Sequence, residues 1–356
     1  MDRQAGLDAT RTVAMLLVVA GHAAVSFMTT PVGWAIQDRS QFLGMDLFAW
    51  LVRAFAMPTF FWLSGYAARS VLVRRGTGGY LRNRLTRIFV PLAVALVPCS
   101  LALSALWDWG REVGGRAAVA DSIPKLQGSE VPVLLGHLWY LYYLLFLSVA
   151  ALGVARVLRG IKSPSGAVGI LVVPAGLSIG ALGYLGALHT DTPLGFVPDL
   201  PILIYMGGFF AWGWLVHARP TELEWYRDRA WQALGVAAVL LATVLPALAH
   251  GVAPLHAILG SGLFTLAMII FFVGACVRHL AAPTPWRTAA SDATYWCYIA
   301  HLPIVVGLQI LVAPLAIPGA VKYAAILTVT LALCLGSYNI GVRRFRKASR
   351  IKRPQR

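Results

Sequence analysis

This chain is short of charge. Charged residues make up 12% of its 356 positions, about half the share found in a soluble domain of ordinary composition. Acidic side chains are the scarcer kind, fourteen against thirty Lys and Arg, for a formal net charge of +16. So thin a supply cannot cover a water-exposed surface, which excludes a soluble enzyme. A hydrophobic share of 58% and a mean hydropathy of +0.71 exclude a disordered chain. Cysteine is nearly absent as well. Cys99, Cys276, Cys297 and Cys334 fall inside apolar runs with no paired spacing, so inert buried thiols are expected and no disulfide. The short polar–apolar alternation of membrane strands is missing, and no internal repeat is evident.

What is present is a succession of apolar runs of about twenty residues, the helix length that a bilayer core about 30 Å thick demands. They are Thr12–Met28, Leu47–Leu72, Ile88–Trp107, Val133–Leu158, Gly166–Leu188, Leu200–Val216, Ala230–Ala249, Leu255–Val277, Ala293–Leu315 and Ala320–Ile340. The pattern predicts an all-α membrane protein of about ten transmembrane helices. Residues 1–342 form the transmembrane domain and 343–356 a basic tail, with no soluble domain appended; the longest outside loop is Asp108–Pro132. With the N-terminus in the cytoplasm, twenty-four of the thirty Lys and Arg lie on the cytoplasmic side and five outside, Arg53 being within a span. That bias places both termini in the cytoplasm. The +16 is then a matter of sidedness and lipid contact, not of nucleic-acid binding. Asp2 and Asp8 ahead of the first run, and a histidine deep within it, argue for a retained helix over a cleaved signal peptide.

Ionisable side chains at membrane depth are costly and so mark candidate sites. His22 lies roughly 16 Å along the first helix from Arg11 and within about 20° of the same face. At mid-depth a neutral imidazole can accept a proton; the bland alternative is a histidine bonded to a neighbouring helix. Arg84 and Arg87, at i and i+3 before Pro91, are expected on the first turn of the third helix. Helix N-termini and guanidinium groups both suit phosphate, although positive-inside charge alone also accounts for these arginines. His301 is a second mid-depth histidine, able to orient substrate or His22, or simply to bond another helix. Asp46 and Arg53, seven residues apart, either line an acceptor entrance or reflect a snorkelling arginine. His137 is an acceptor-side candidate near the outer face. Ser64-Gly65 has no visible activating base and reads first as a close-packing pair, and Trp139-Tyr140-Leu141-Tyr142-Tyr143 reads as an interfacial aromatic belt.

Taken in order, these residues resemble integral-membrane acyltransferase family 3. Gly6-Leu-Asp8-Ala-Thr-Arg11 resembles the family's opening, and Arg11 and His22 reproduce its arginine, ten residues, histidine signature. Phe60-Phe61-Trp-Leu-Ser64-Gly65-Tyr66, Arg84-Leu-Thr-Arg87 with Pro91, and Tyr298-Ile-Ala-His301 resemble later motifs. Ala54-Phe-Ala-Met57-Pro-Thr-Phe60-Phe61 and His137-Leu-Trp139-Tyr140-Leu141 are similar to the glucan-succinylating branch. Pro58 stands where the lipopolysaccharide-acetylating branch has an acidic residue, so the resemblance supplies no carboxylate partner for His22.

The resemblance implies a multi-pass protein of a bacterial inner or plasma membrane. It implies transfer of an acetyl, succinyl or similar group from acyl-CoA to a hydroxyl of an extracytoplasmic glycan, glycolipid or other acceptor, without a metal. His22 would be catalytic and Arg11, Arg84 and Arg87 would bind the donor. His301, Arg53, Asp46 and His137 are left as substrate-side candidates. A ten-helix transporter or flippase of an envelope precursor is the rival reading. It calls for paired broken helices in two halves, and no such pair is seen.

Overall fold

The computed structural model describes residues 3–114, 135–157, 166–219, 221–282 and 284–342. The basic tail 343–356 and most of the long outside loop fall outside the described residues. Among the described residues there are ten α-helices and no strand. They are α1 Arg3–Val25, α2 Leu43–Arg84, α3 Val90–Gly114, α4 Trp139–Val157, α5 Gly166–Leu185, α6 Leu200–His217, α7 Thr221–Ala249, α8 Leu255–His279, α9 Pro285–Val312 and α10 Gly319–Ser337.

Each helix overlaps one of the apolar runs, but several start well before theirs: α1 at Arg3, α7 at Thr221 and α9 at Pro285. Hydropathy registers only the immersed part, whereas backbone hydrogen bonding continues into the interface. Local chemistry sets some of these ends. Asp199 caps α6 by accepting from the Ile202 amide at 3.0 Å, with Pro201 in the first turn. Among the described residues, eight segments are each long and apolar enough to cross a bilayer, one of them the 72-residue stretch Leu43–Gly114 that holds both α2 and α3. A shorter apolar helix, Ile170–Leu185, lies within α5. Along α3, Val90, Val94, Val97 and Leu101 repeat at helical spacing and are all exposed. An apolar stripe turned outward is what lipid rather than water selects.

Two junctions are irregular for identifiable reasons. Gly76 adopts φ 62° within α2, a left-handed backbone that glycine tolerates, and kinks the helix there. Between α2 and α3 the chain makes a π-helical turn, Leu85–Phe89, in which the Val90 amide reaches back to the Leu85 carbonyl. Pro91 lacks the N–H that would bond the Arg87 carbonyl, so the tighter α-helical pattern cannot continue through this point. Arg84 therefore ends α2, and Arg87 sits on the π turn rather than on the first turn of α3, as the sequence predicts.

The chain divides into two compact units. The first comprises Met1–Ala14, Arg53–Ser100 and Val133–Pro283. Its centre is α8, deeply buried through Ala257, Phe264, Ile269 and Val273, with an exposed edge of Leu255, Leu259 and Leu263 at its start. Thr265 ties α8 to α2 by donating to the Ala54 carbonyl at 3.0 Å. The crossing of α2 and α6 is closed by reciprocal glycines. A methyl group on Gly65 would overlap the Phe210 carbonyl, and one on Gly213 would overlap the Trp62 carbonyl. The small pair Ser64-Gly65 thus serves close packing.

The second unit comprises Met15–Val52, Leu101–Pro132 and Thr284–Arg356. In it α10 packs along α9, and an irregular loop, residues 26–42, joins α1 to α2. The loop folds inward instead of outward. Ala35 and Ile36 enter an apolar cluster with Leu103, Leu302, Val306 and Ile310, and Gly110 on α3 admits the Ala35 carbonyl against its backbone.

Candidate active site

In the second unit His22 and His301 meet. His22 lies near the end of α1 and His301 midway along α9, and His22 Nδ1 is 3.1 Å from His301 Nε2. The protons on this pair follow from its surroundings. His301 Nδ1 faces the carbonyls of Tyr298 at 2.8 Å and Cys297 at 3.0 Å. Carbonyls only accept, so Nδ1 carries the proton and, in the neutral ring, Nε2 is an acceptor. His22 Nδ1–H must then donate to it. The basic nitrogen of His22 is therefore Nε2, and a fully buried His301 holds it in that tautomer. Sequence reasoning found both histidines by their depth; their contact, across 279 residues, carries no local signal.

Other residues around His22 were not anticipated. Trp34, from the inward loop, stacks on the imidazole with centroids 5.9 Å apart and planes 9° from parallel. Its Nε1–H donates to Gln309 Oε1 at 2.7 Å, and Gln309 Nε2 donates to the His22 and Ala23 carbonyls at 2.9 and 3.2 Å. The last four carbonyls of a helix have no partner within it. Here Gln309 takes those of His22 and Ala23, while the Phe27 and Met28 amides take those of Ala24 and Val25. Asp38 and Lys322 form a buried ion pair at 2.7 Å, each side chain 2–3% exposed. Lys322 was counted among the outside charges, yet it sits inside the protein. A polar Gln and a Lys within apolar runs were the only signals that could have drawn attention to these positions.

In the first unit Arg84 lies over a tyrosine. Arg84 is half-buried, its guanidinium 5.2 Å above the Tyr80 ring and bonded to Asn83 Oδ1 at 2.8 Å. The charges of Arg84 and Arg11 both act on the Tyr140 hydroxyl, which lies 2.6 Å from Ser64 Oγ. Arg11 is exposed and pairs with Asp8 at 3.1 Å. Arg87 is exposed on the π turn. The aromatic run at the start of α4 is not an interfacial belt: Trp139 and Tyr143 are buried, and Tyr140 packs on Phe60 and Phe61. Only Tyr142 of that run turns outward, its hydroxyl donating to the Phe196 carbonyl at 2.7 Å. Partners within the unit supply the polar contacts that lipid headgroups would otherwise give these rings.

The remaining candidates separate. Asp46 does not pair with Arg53. Its carboxylate accepts from the Thr29 and Thr30 amides, both at 2.8 Å, and from the Thr29 hydroxyl at 2.9 Å, pinning the inward loop. Arg53 pairs with Asp191 at 3.4 Å. His189 lies close by, and burial, reinforced by the charge of Arg53, pushes its imidazole below the usual value. His137 is buried in the 3-10 turn Gly136–Leu138 that leads into α4. No group of three or more His, Cys, Asp or Glu side chains arranged to hold a metal ion occurs among the described residues.

Comparison with known proteins gives the chain's family. A family described as acyltransferase domain matches residues 4–338. Glucans biosynthesis protein C of Salmonella paratyphi B is 25% identical over 157 residues, 43% of this chain and 39% of its own length. The proteins of that name from Salmonella heidelberg and Salmonella agona match to the same extent. The chain thus aligns with about two fifths of the length of these curated relatives. No solved structure matches it.

Proposed function

This chain belongs to the membrane acyltransferase family whose domain it matches across residues 4–338, and from that premise we propose that it transfers an acyl group from acyl-CoA to a hydroxyl of an extracytoplasmic glucan or related acceptor. The His22–His301 pair carries the reading, because it leaves His22 Nε2 as the basic nitrogen. In the proposed step the acceptor oxygen attacks the thioester carbonyl as His22 Nε2 takes its proton. The new C–O bond forms, the C–S bond breaks, and the proton passes from His22 to the departing coenzyme A thiolate. Arg11, Arg84 and Arg87 are assigned to the donor's phosphates, which guanidinium groups bind in bidentate fashion. The Tyr140 hydroxyl, within the field of Arg11 and Arg84, adds a donor at that site. The name of the Salmonella relatives supports a glucan as acceptor. The charge bias supports a cytoplasmic donor side, with both termini facing it. Family membership favours this chemistry over transport.

The test uses the purified chain in proteoliposomes with acetyl-CoA or succinyl-CoA and a linear glucan, following thiol release and acylated product. His22→Ala should lose about 10²–10⁴-fold in kcat, the usual worth of a general base. Donor binding, read as the rise in melting temperature with acyl-CoA, should persist in this variant. Transfer at the wild-type rate by folded His22→Ala protein would overturn the assignment. Arg84→Ala should show the reverse pattern, with a weakened thermal response to acyl-CoA and a raised donor KM.

A further inference from the structure

A general base works only if its lone pair points at the proton it removes, and displacement by 1 Å can cost about 100-fold in rate. The bond from His22 Nδ1 to His301 fixes one point of the ring. At 3.1 Å it restrains the imidazole without locking it, because both side-chain torsions can vary together about that point and the terminal one is broad. What fixes the plane is Trp34, stacked within 9° of parallel. Trp34 is itself held on two sides, by Gln309 Oε1 at 2.7 Å and by the edge of Trp107 at a centroid distance of 5.5 Å.

Gln309 makes this more than a packing contact. The residue is 1% exposed, and all its polar capacity used here is directional. Its two N–H groups face the His22 and Ala23 carbonyls, so its oxygen can only face the indole N–H. One amide thus joins the backbone of His22 to the ring that covers its side chain. The loop delivering Trp34 is also fastened beyond it. Asp38 pairs with buried Lys322, Lys322 donates to the Ala313 carbonyl at 3.0 Å, and the Asp38 amide donates to the Ser26 carbonyl at 2.8 Å.

We propose that Trp34 and Gln309 are positioning residues for the proposed base, fixing the plane of the His22 imidazole, and that the Asp38–Lys322 pair latches the loop that delivers Trp34. The inference rests on His22 being the base, but its first readout does not. Histidine labelled with ¹³C and ¹⁵N in the ring would be incorporated into the detergent-solubilised full chain, with His22 signals identified by their loss in His22→Ala. Trp34→Ala should shift and broaden the His22 ring signals, whereas Trp34→Phe, which keeps a ring, should leave them sharp. Gln309→Leu, which keeps the volume and breaks the tie, should also broaden them.

In proteoliposomes with succinyl-CoA and a linear glucan, Trp34→Ala should lower kcat about 10–100-fold with donor KM within about twofold. Trp34→Phe should restore most of the rate. Unchanged His22 signals in both Trp34→Ala and Gln309→Leu would overturn the proposal, as would a kcat loss without any change in those signals. Should His22→Ala retain full activity while the signals respond as stated, the base assignment fails and the positioning geometry stands.

Discussion

His301 tests how far one residue can act through another. His301→Ala removes the acceptor that holds the His22 Nδ1 proton, and the other tautomer would then put a proton instead of a lone pair on Nε2 at the active face. A loss of about 10²-fold in kcat is expected, by analogy with other bases left in the wrong tautomer. His301→Gln, whose amide oxygen can still accept, should recover part of that loss; equal kinetics for the two variants would show that acceptance is not the role of His301. At this scale the sequence was informative wherever cost made a residue conspicuous. His22, His301 and the arginines stand out as ionisable groups in or beside apolar runs. Trp34 and Asp38 do not, because they lie in an irregular loop where no period ties residue to neighbour. The role of Lys322 is hidden for a related reason: near the end of a span, a loop charge and a buried ion-pair partner look the same in one dimension. Asp46 and Arg53 share a helix face by spacing, but partners from other segments decided where each side chain bonds.

At the scale of elements, the π turn and the glycine crossing make separate demands. Pro91→Ala restores a backbone N–H and allows α-helical bonding through Leu85–Phe89. Removing a π turn changes the register of what precedes it by about 100°. The thermal response to acyl-CoA should weaken, although the helix itself loses nothing in stability. An unaltered response would separate the turn from donor binding. Gly65→Ala places a methyl group against the Phe210 carbonyl, where neither backbone can withdraw without parting α2 from α6. Overpacking of this kind costs about 1–3 kcal/mol, measurable as a fall in melting temperature in detergent. The loop holding His189 should confer acid sensitivity. Its folded-state value lies below that of the unfolded chain, so as pH falls through about 6.5 the unfolded chain takes up a proton first. Stability present above that pH is lost below it, and His189→Asn should flatten the dependence. Helix type was legible throughout because each apolar run is long and each overlaps a helix. Helix starts were not, since the Asp199 cap of α6 and the first-turn Pro285 of α9 lie beyond the hydropathy signal.

At the scale of the whole molecule, the Asp38–Lys322 pair is the most deeply buried ion pair among the described residues. Lys322→Met strands a carboxylate away from water and should destabilise the protein by about 3–5 kcal/mol. Adding Asp38→Leu should recover most of that loss in thermal unfolding. Recovery in stability without recovery of kcat would show that the latch serves catalysis as well as folding. The same pair imposes an order in time. His22 meets His301 across 279 residues, Trp34 meets Gln309 across 275, and Asp38 meets Lys322 across 284. At 5–20 residues per second, roughly a quarter of a minute to a minute of synthesis separates the members of each pair. Throughout that interval the first helix is in place with its histidine unable to adopt the arrangement described here. On the proposed reading, catalytic competence would arrive late and all at once, when α9 and α10 insert, and a ribosome stalled before them would leave the His22 site unassembled.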